Sequence, residues 1–532
     1  MASSPEASSA AEQELSDRVP FIQKLGYGLG SVHDMWGHWL YGGLVYLVFN
    51  VNFGISPSWI GAALFFKLGF EMVWDSVFGW WSDNTRTRLG RRRPFILVGS
   101  VLAGFALPLL FSARAGWTEI QYFFFMVGTL AVYVPIMSCF YMPFQSLGSE
   151  LTPSYHERTS VGAVRSAIQK FPEVAMFAAG AFATAGVWVS ATWRDVPARL
   201  ALLAHATLRW FGDVGASLFA GDWPRFGALL KTIFGWVPAE GGAKTGILLG
   251  TQVYTVILGS IMVVVGVVVF LLTRERFYEK LVVARHQGKI SIKATIWQTL
   301  TSCQPFRANI SMAFAYGLGT SMVGALGWYA TVYYVCKGNV GAGTGWNSWM
   351  GLSGMVLGLA GIPCYTFIAR RIGKKHAMMV VQCSAIAVFA GTWWLYTPEI
   401  EWLQIFASGL IAFTSAGFWV LYGSMTADVI DADELDSGKR REGSFAACGS
   451  WIMKLGSLVG NLSSGLILAA TGFDQALGAN QTPHAIFAIR FFLAAIPIAG
   501  LIVSLILLSR FPLTQEKMAE IRRQLEARRG QV

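Results

Sequence analysis

Residues 60–81 are apolar enough to cross a membrane, yet they carry Lys67, Glu71 and Asp75. The spacing is i, i+4, i+8. At 3.6 residues per turn the three side chains fall on one face of a helix. A charge near the bilayer centre costs about 2.5–3.5 kcal/mol on insertion scales. Three on one stripe must therefore face protein or a water-filled cavity. Directly after them comes a polar and basic run, Ser82-Asp83-Asn84-Thr85-Arg86-Thr87-Arg88-Leu89-Gly90-Arg91-Arg92-Arg93-Pro94. Together these features suit an ion-coupled carrier.

The elements that must position these residues are membrane helices. Of 532 residues, 54% are hydrophobic and only 13% are charged, against roughly 25% charged in a soluble domain. A lipid-exposed backbone has to satisfy its own hydrogen bonds, so helices of about 20 residues are the default. The alternation of an outer-membrane barrel is absent. Twelve spans are expected, over 22–52, 57–82, 94–114, 121–148, 162–190, 247–273, 306–337, 346–369, 375–396, 402–426, 444–471 and 484–510. The six cysteines, Cys139, Cys303, Cys336, Cys364, Cys383 and Cys448, are scattered without a CxxC pair, which suits packing and not disulfides or metal ligation. Strings such as Gly28-Leu29-Gly30 lie in apolar spans with no strand before them, so they are not dinucleotide sites. No nucleotide-binding loop, zinc spacing or hydrolase elbow is present, and an enzyme is not expected.

Lys and Arg concentrate in alternate connections. Arg86, Arg88, Arg91, Arg92 and Arg93 lie between spans 2 and 3, and Arg370, Arg371 and Lys374 between spans 8 and 9. Lys439, Arg440 and Arg441 lie between spans 10 and 11. The other connections are nearly devoid of them, which puts both termini in the cytoplasm. The net charge of +11 therefore marks topology, not nucleic acid. The exception is a long outer insert, 191–246. Its stretches Ala198–Phe211 and Trp223–Trp236 mix Leu, Phe and Trp with basic residues and read as two amphipathic surface helices.

The halves repeat. Tyr27-Gly28-Leu29-Gly30-Ser31 recurs as Tyr316-Gly317-Leu318-Gly319-Thr320, and Arg88-Leu89-Gly90-Arg91-Arg92 recurs as Arg371-Ile372-Gly373-Lys374-Lys375. The same offset aligns Lys170 with Lys454, as candidate cations facing a cavity. The expected organisation is a polar N-terminal tail (1–20), a six-helix bundle (21–190 with 247–273), the insert (191–246), a cytoplasmic linker (274–305), a second six-helix bundle (306–510) and a basic tail (511–532). Two six-helix halves with a basic link are the major facilitator arrangement, in which substrate sites lie near the midplane.

At this point two motifs become specific. The run Asp75-x3-Gly79-x2-Ser82-Asp83-Asn84-Thr85-Arg86-x-Arg88-x-Gly90-Arg91-Arg92-Arg93-Pro94 resembles the signature of the glycoside–pentoside–hexuronide:cation symporters. Ala427-Asp428-Val429-Ile430-Asp431-x2-Glu434-x4-Lys439-Arg440-Arg441-Glu442-Gly443 is similar to a second one. The resemblance implies an all-α membrane protein of the major facilitator fold that couples a sugar or glycoside to H⁺ or Na⁺. The family's cation-binding carboxylates match Glu71 and Asp75, with Ser138 placed beside them. Two such groups in low dielectric oppose each other's ionisation, so a proton or metal ion becomes a favourable partner. The family's helix V arginine matches Arg165, its helix XI lysine matches Lys454, and its sugar-binding helix I aspartate corresponds to Asp34. Two departures stand out. Tyr141 occupies the place of a helix IV aspartate, and Gln145 that of a sugar-stacking tryptophan. Losing a carboxylate leaves fewer oxygens for Na⁺, which favours H⁺. The alternative is a carrier of a lysolipid or other amphiphile on the same fold.

Asp83, Arg91, Arg92, Arg93, Glu150, Asp428 and Asp431 mark the mouths of spans and are candidates for gating ion pairs. His33 and His38 flank Asp34, and one of them is placed to relay protons near neutral pH. The remaining expectations are a monomer in the plasma (inner) membrane, with no cofactor, no nucleic-acid partner, and a small molecule, a cation and the bilayer as its ligands.

Overall fold

The computed structural model describes residues 18–85, 87–151, 155–229, 232–238, 246–274, 303–321, 323–437, 442–474, 477–478, 480 and 481–529. Nearly all of the N-terminal tail, nearly all of the 274–305 linker, Arg86, Lys439, Arg440 and Arg441 lie outside the described residues, as do the side chains of Asp83 and Glu150. The described chain is all-helical. Each expected span has a counterpart: α1 (21–52), α2 (Pro57–Asn84), α3 (Arg93–Phe111), α4 (Glu119–Glu150), α5 (Tyr155–Ala183), then α8 (Ile247–Leu272), α9 (Gln304–Val335), α10 (Val340–Ile372), α11 (Lys374–Leu395), α12 (Leu403–Ser437), α13 (Glu442–Ala470) and α14 (Pro483–Ser509). The insert holds α6 (Val196–Ala220) and α7 (Trp223–Leu229), and α15 (Gln515–Arg529) follows the last span. Among the described residues, nine of these helices are long and apolar enough to cross a membrane. The other three spans, α1, α2 and α5, carry most of the candidate site. Charge and irregular turns there displace the apolar residues that a hydropathy window counts.

Helix ends follow local chemistry. Thr118 and Gln121 form a reciprocal capping box at the start of α4. Asn339 accepts from the Ala342 N–H at 3.1 Å and Thr482 from the Ala485 N–H at 3.2 Å, starting α10 and α14. In the insert, the helix expected over 223–236 ends at Leu229. There the Trp210 indole N–H takes the Leu229 carbonyl at 2.9 Å, and positive φ values at Phe234 (54°) and Gly235 (70°) turn the chain.

By packing, the chain falls into two compact units. One comprises 1–55, 69–204 and 244–288; the other comprises 56–68, 205–243 and 289–532. In the first, α3 and α8 pack backbone to backbone at Gly104 and Gly259, where a Cβ on either would strike the other's carbonyl. Gly28 admits Ile168 of α5, and Gly99 admits Phe140 of α4. In the second, α9 and α14 meet at Gly319 and Gly500. A core of Phe306, Tyr316, Met378, Phe389 and Phe418 fills the space between its helices.

The repeat expected from sequence is visible in backbone form. π turns over Tyr46–Asn52 and Ala330–Val335 begin 284 residues apart. Gly54 (φ 79°) and Gly338 (φ 81°) follow them, and Gly90 (φ 105°) is matched by Gly373 (φ 82°). The basic residues after the second and eighth spans act alike. Arg93 donates to the Phe270 carbonyl at 2.7 Å, at the end of α8. Lys375 donates to the Ser509 and Phe511 carbonyls at 3.0 and 2.7 Å, at the end of α14. Cations thus satisfy C-terminal carbonyls where the helix dipole favours them.

Candidate functional site

The site is assembled in the first unit from α1, α2, α4 and α5. Glu71 and Asp75 are buried on one face of α2, at 6% and 7% exposure. Asp75 accepts a hydrogen bond from the Ser138 hydroxyl of α4 at 2.7 Å. One turn along α4, Tyr141 lies within electrostatic reach of Asp75, Asp34 and Arg165, and its hydroxyl meets Gln145. Pro135 and Pro143 lie inside α4 on either side of this stretch and each removes a helical hydrogen bond.

The other end of the network centres on Asp34 of α1. Arg165 of α5 donates to Asp34 Oδ2 at 3.1 Å and to Gln145 Oε1 at 2.8 Å. Its other partner is the Tyr27 hydroxyl at 3.2 Å. Its guanidinium also lies over Phe144 and Tyr27, 5.2 and 5.6 Å from the ring centroids. Those two rings stack at 4.7 Å. A charge partly removed from water is held here by a carboxylate, two neutral dipoles and two ring faces. His38 Nδ1 lies 3.8 Å from Asp34 Oδ1, the oxygen that Arg165 leaves open. The His38 ring meets Tyr141 edge-on at 4.5 Å. A π turn over Met35–Trp39 starts immediately after Asp34; such turns recur at functional sites. Trp36 fastens this stretch to α5 by donating to the Pro172 carbonyl at 2.8 Å.

The structure therefore joins Ser138 to Asp75 and joins Arg165 to Asp34 and Gln145, with Tyr141 against His38; Glu71 is buried one turn from Asp75 on α2. The structure separates the two histidines. His33 is fully buried and stacked on Phe140 at 4.4 Å, a packing role, whereas His38 belongs to the network. Lys170 turns to its own helix and pairs with Glu173 at 2.6 Å. Lys454 is half-buried on α13 in the second unit. Of the gating candidates, Arg91 and Arg92 are buried, and Asp428 receives Lys374 on both oxygens at 2.6 and 2.7 Å within the second unit. Asp431 is half-buried on α12. Two contributors had not been singled out from sequence as site residues, Tyr27 and Phe144. Tyr27 lies seven residues before Asp34, two turns down one helix face, which is the signal that would have found it. All six cysteines are free. Among the described residues no group of three or more His, Cys, Asp or Glu side chains is arranged to hold a metal ion.

The fold is that of known carriers. A bacterial homologue of the human lysosomal transporter Spinster aligns over 99% of both chains with a TM-score of 0.52 and 14% identity. A D-xylose–proton symporter aligns over 92% of this chain and 98% of its own, with a TM-score of 0.52 and 12% identity. This likeness shows the major facilitator fold. A family profile described as MFS/sugar transport protein matches residues 27–515, and the chain belongs to that family. Similar curated proteins include an uncharacterized symporter of Synechocystis sp., 25% identical over 97% of this chain and 98% of its own length. An isoprimeverose transporter of Lactiplantibacillus pentosus is 25% identical over 92% and 88%. A glucuronide carrier protein homologue of Escherichia coli is 23% identical over 93% of each.

Proposed function

We propose that the protein carries a sugar or glycoside across the cytoplasmic membrane by alternating access, coupled to a cation, with H⁺ favoured over Na⁺. The coupling ion sits at Glu71 and Asp75 with the Ser138 hydroxyl. Asp34, Arg165, Gln145 and Tyr141 bind substrate hydroxyls in the first unit, and Lys454 is the corresponding candidate in the second. The observation that carries this reading is the presence in one unit of the Ser138–Asp75 pair and the Arg165–Asp34–Gln145 group, with Tyr141 one turn from Ser138 on α4 and set against His38. An acidic pair and a group suited to sugar hydroxyls thus share the first unit. Tyr141 supplies a single neutral oxygen where a carboxylate would supply two charged ones, which supports the proton. His38, within reach of Asp34 and Tyr141, is the histidine that belongs to this site. The names of the sugar-carrying relatives support a sugar over an amphiphile. Asp83, Arg91, Arg92, Arg93, Glu150, Asp428 and Asp431 are kept as gating groups. We further read the protein as a monomer without cofactor, crossing the plasma (inner) membrane twelve times with both ends in the cytoplasm.

The test is uptake of radiolabelled sugars into proteoliposomes under an imposed pH or Na⁺ gradient. Glu71→Gln and Asp75→Asn are expected to abolish accumulation against a gradient while leaving substrate exchange measurable. Full concentrative uptake in both variants sinks the coupling assignment.

A further inference from the structure

Helix α6 of the insert presents three chemically distinct sides. At about 100° per residue, Leu203, Trp210 and Ser217 share one side, and all three are buried. This side holds the insert together. Trp210 donates to the Leu229 carbonyl, the Trp236 indole donates to Thr207 Oγ1 at 3.0 Å, and Gly235 leaves room for Ala206. A second side carries His205, Arg209 and Asp213, and Asp213 pairs with Arg225 at 2.9 Å, both exposed. The third side is apolar. Ala204, Leu208, Phe211, Leu218 and Phe219 fall within a sector roughly 100° wide, with Leu208 at 74% exposure and Phe219 at 93%. Leu202 is the one large exposed apolar residue of the helix outside that sector.

We propose that the third side rests on lipid, with α6 lying at headgroup depth along the membrane surface. A helix at the edge of a membrane protein needs one face for protein, one for acyl chains and one for water, and α6 has them in that order. Twelve residues separate Ala183, the end of α5, from Val196, which keeps the start of α6 near the bilayer. Trp193, exposed just before the helix, is the residue type that seats at the lipid headgroups. Arg209 and His205 border the apolar sector on its water side, where they complement anionic headgroups. This assignment rests on the membrane-spanning fold and not on the transport reading.

The experiment places an encoded azido-phenylalanine at Phe219, or at Ala216 on the polar side, and attaches an environment-sensitive dye through the azide. The full-length protein is reconstituted in phosphatidylcholine vesicles, with and without phosphatidylglycerol. Lipids spin-labelled near the headgroup are expected to quench the dye at 219 several-fold more than at 216, and iodide in the buffer is expected to do the reverse. Phosphatidylglycerol is expected to deepen quenching at 219, and Arg209→Glu to cancel that increment. Equal iodide quenching at the two positions overturns the proposal. So does photocrosslinking from 219 to a second copy of the chain, which would make this face a contact between copies.

Discussion

The same tyrosine motif opens both halves of the chain and meets opposite surroundings. Tyr27 stacks on Phe144 at 4.7 Å beneath the Arg165 guanidinium, its hydroxyl bonded to that cation. Tyr316 stacks on Phe418 at 3.5 Å with the planes 6° apart, inside an apolar core of Met and Phe. The spacing of the motif preserves the ring in both places, because a flat aromatic face against a neighbouring helix suits either setting. What differs is the partner across the stack. The first half places a cation there and must then supply Asp34 and Gln145 to hold it. At the offset of the repeat, Glu71 and Asp75 give way to Met355 and Leu359 in the second half. At these two positions the first half is charged and the second apolar.

The sharpest way to break this comparison is to remove the cation. Arg165→Gln leaves Asp34 part-buried without its main counter-charge, and a broken buried pair costs about 3–5 kcal/mol. Loss of substrate binding together with thermal destabilisation in detergent is expected. A fully stable, fully active variant would show that the pair organises nothing. Ser138→Ala is expected to shift cation affinity by about 1.5–3 kcal/mol, down for a ligated Na⁺ and up for a proton, since it removes a hydrogen bond that stabilises the charged carboxylate. That is read as the cation concentration or pH giving half-maximal uptake. Tyr27→Phe against Tyr316→Phe comes next. The first removes an oxygen from Arg165 and is expected to lower transport by about 1 kcal/mol of site energy. The second is expected to leave the transport constants unchanged. Equal losses in the two would erase the distinction between site and scaffold.

The smallest effect expected is at Asp195, before α6. Its carboxylate accepts from the Thr192 N–H and hydroxyl, both at 2.9 Å, and these bonds, the backbone one first, hold it below the usual carboxylate range. A lowered folded pKa contributes stability that is present above the unfolded value and lost as pH falls through the folded one. Asp195→Asn is expected to flatten that acid limb, read by limited proteolysis of the insert with an acid-active protease below about pH 4.

Most of the membrane architecture was legible from the sequence, because span length and basic connections are properties of single segments. The acidic pair was legible for the same reason: three charges in one apolar helix have few physical explanations. The partners across helices were harder. Ser138 and Tyr141 came from resemblance, and the geometry then joined Ser138 to Asp75 and set Tyr141 against His38. Lys170 had been aligned with Lys454 as a cavity cation, yet Glu173 lies three residues on and within reach on the same helix. Asp428 was placed at a gate with no partner fixed, and Lys374 holds it within its own half. The two histidines were not told apart, although helical geometry distinguishes them. Four residues from Asp34 is the same face, and one residue is not. The insert's second helix was drawn too long because Phe234 and Gly235 take positive φ values, which no helix continues.

The π turn after Asp34 has one more implication. A π turn is a helix carrying a surplus residue, so deleting one position between Met35 and Trp39 would return α1 to ordinary winding. Removing Gly37 would draw His38 one residue closer to Asp34 along the chain and keep every functional side chain, while the helix beyond holds nearly its phase, because a π turn closes over five residues where an α turn closes over four. A chain trimmed in this way keeps its whole chemical inventory and loses one alignment. It would measure how much of the site depends on the spacing of His38 from Asp34 alone.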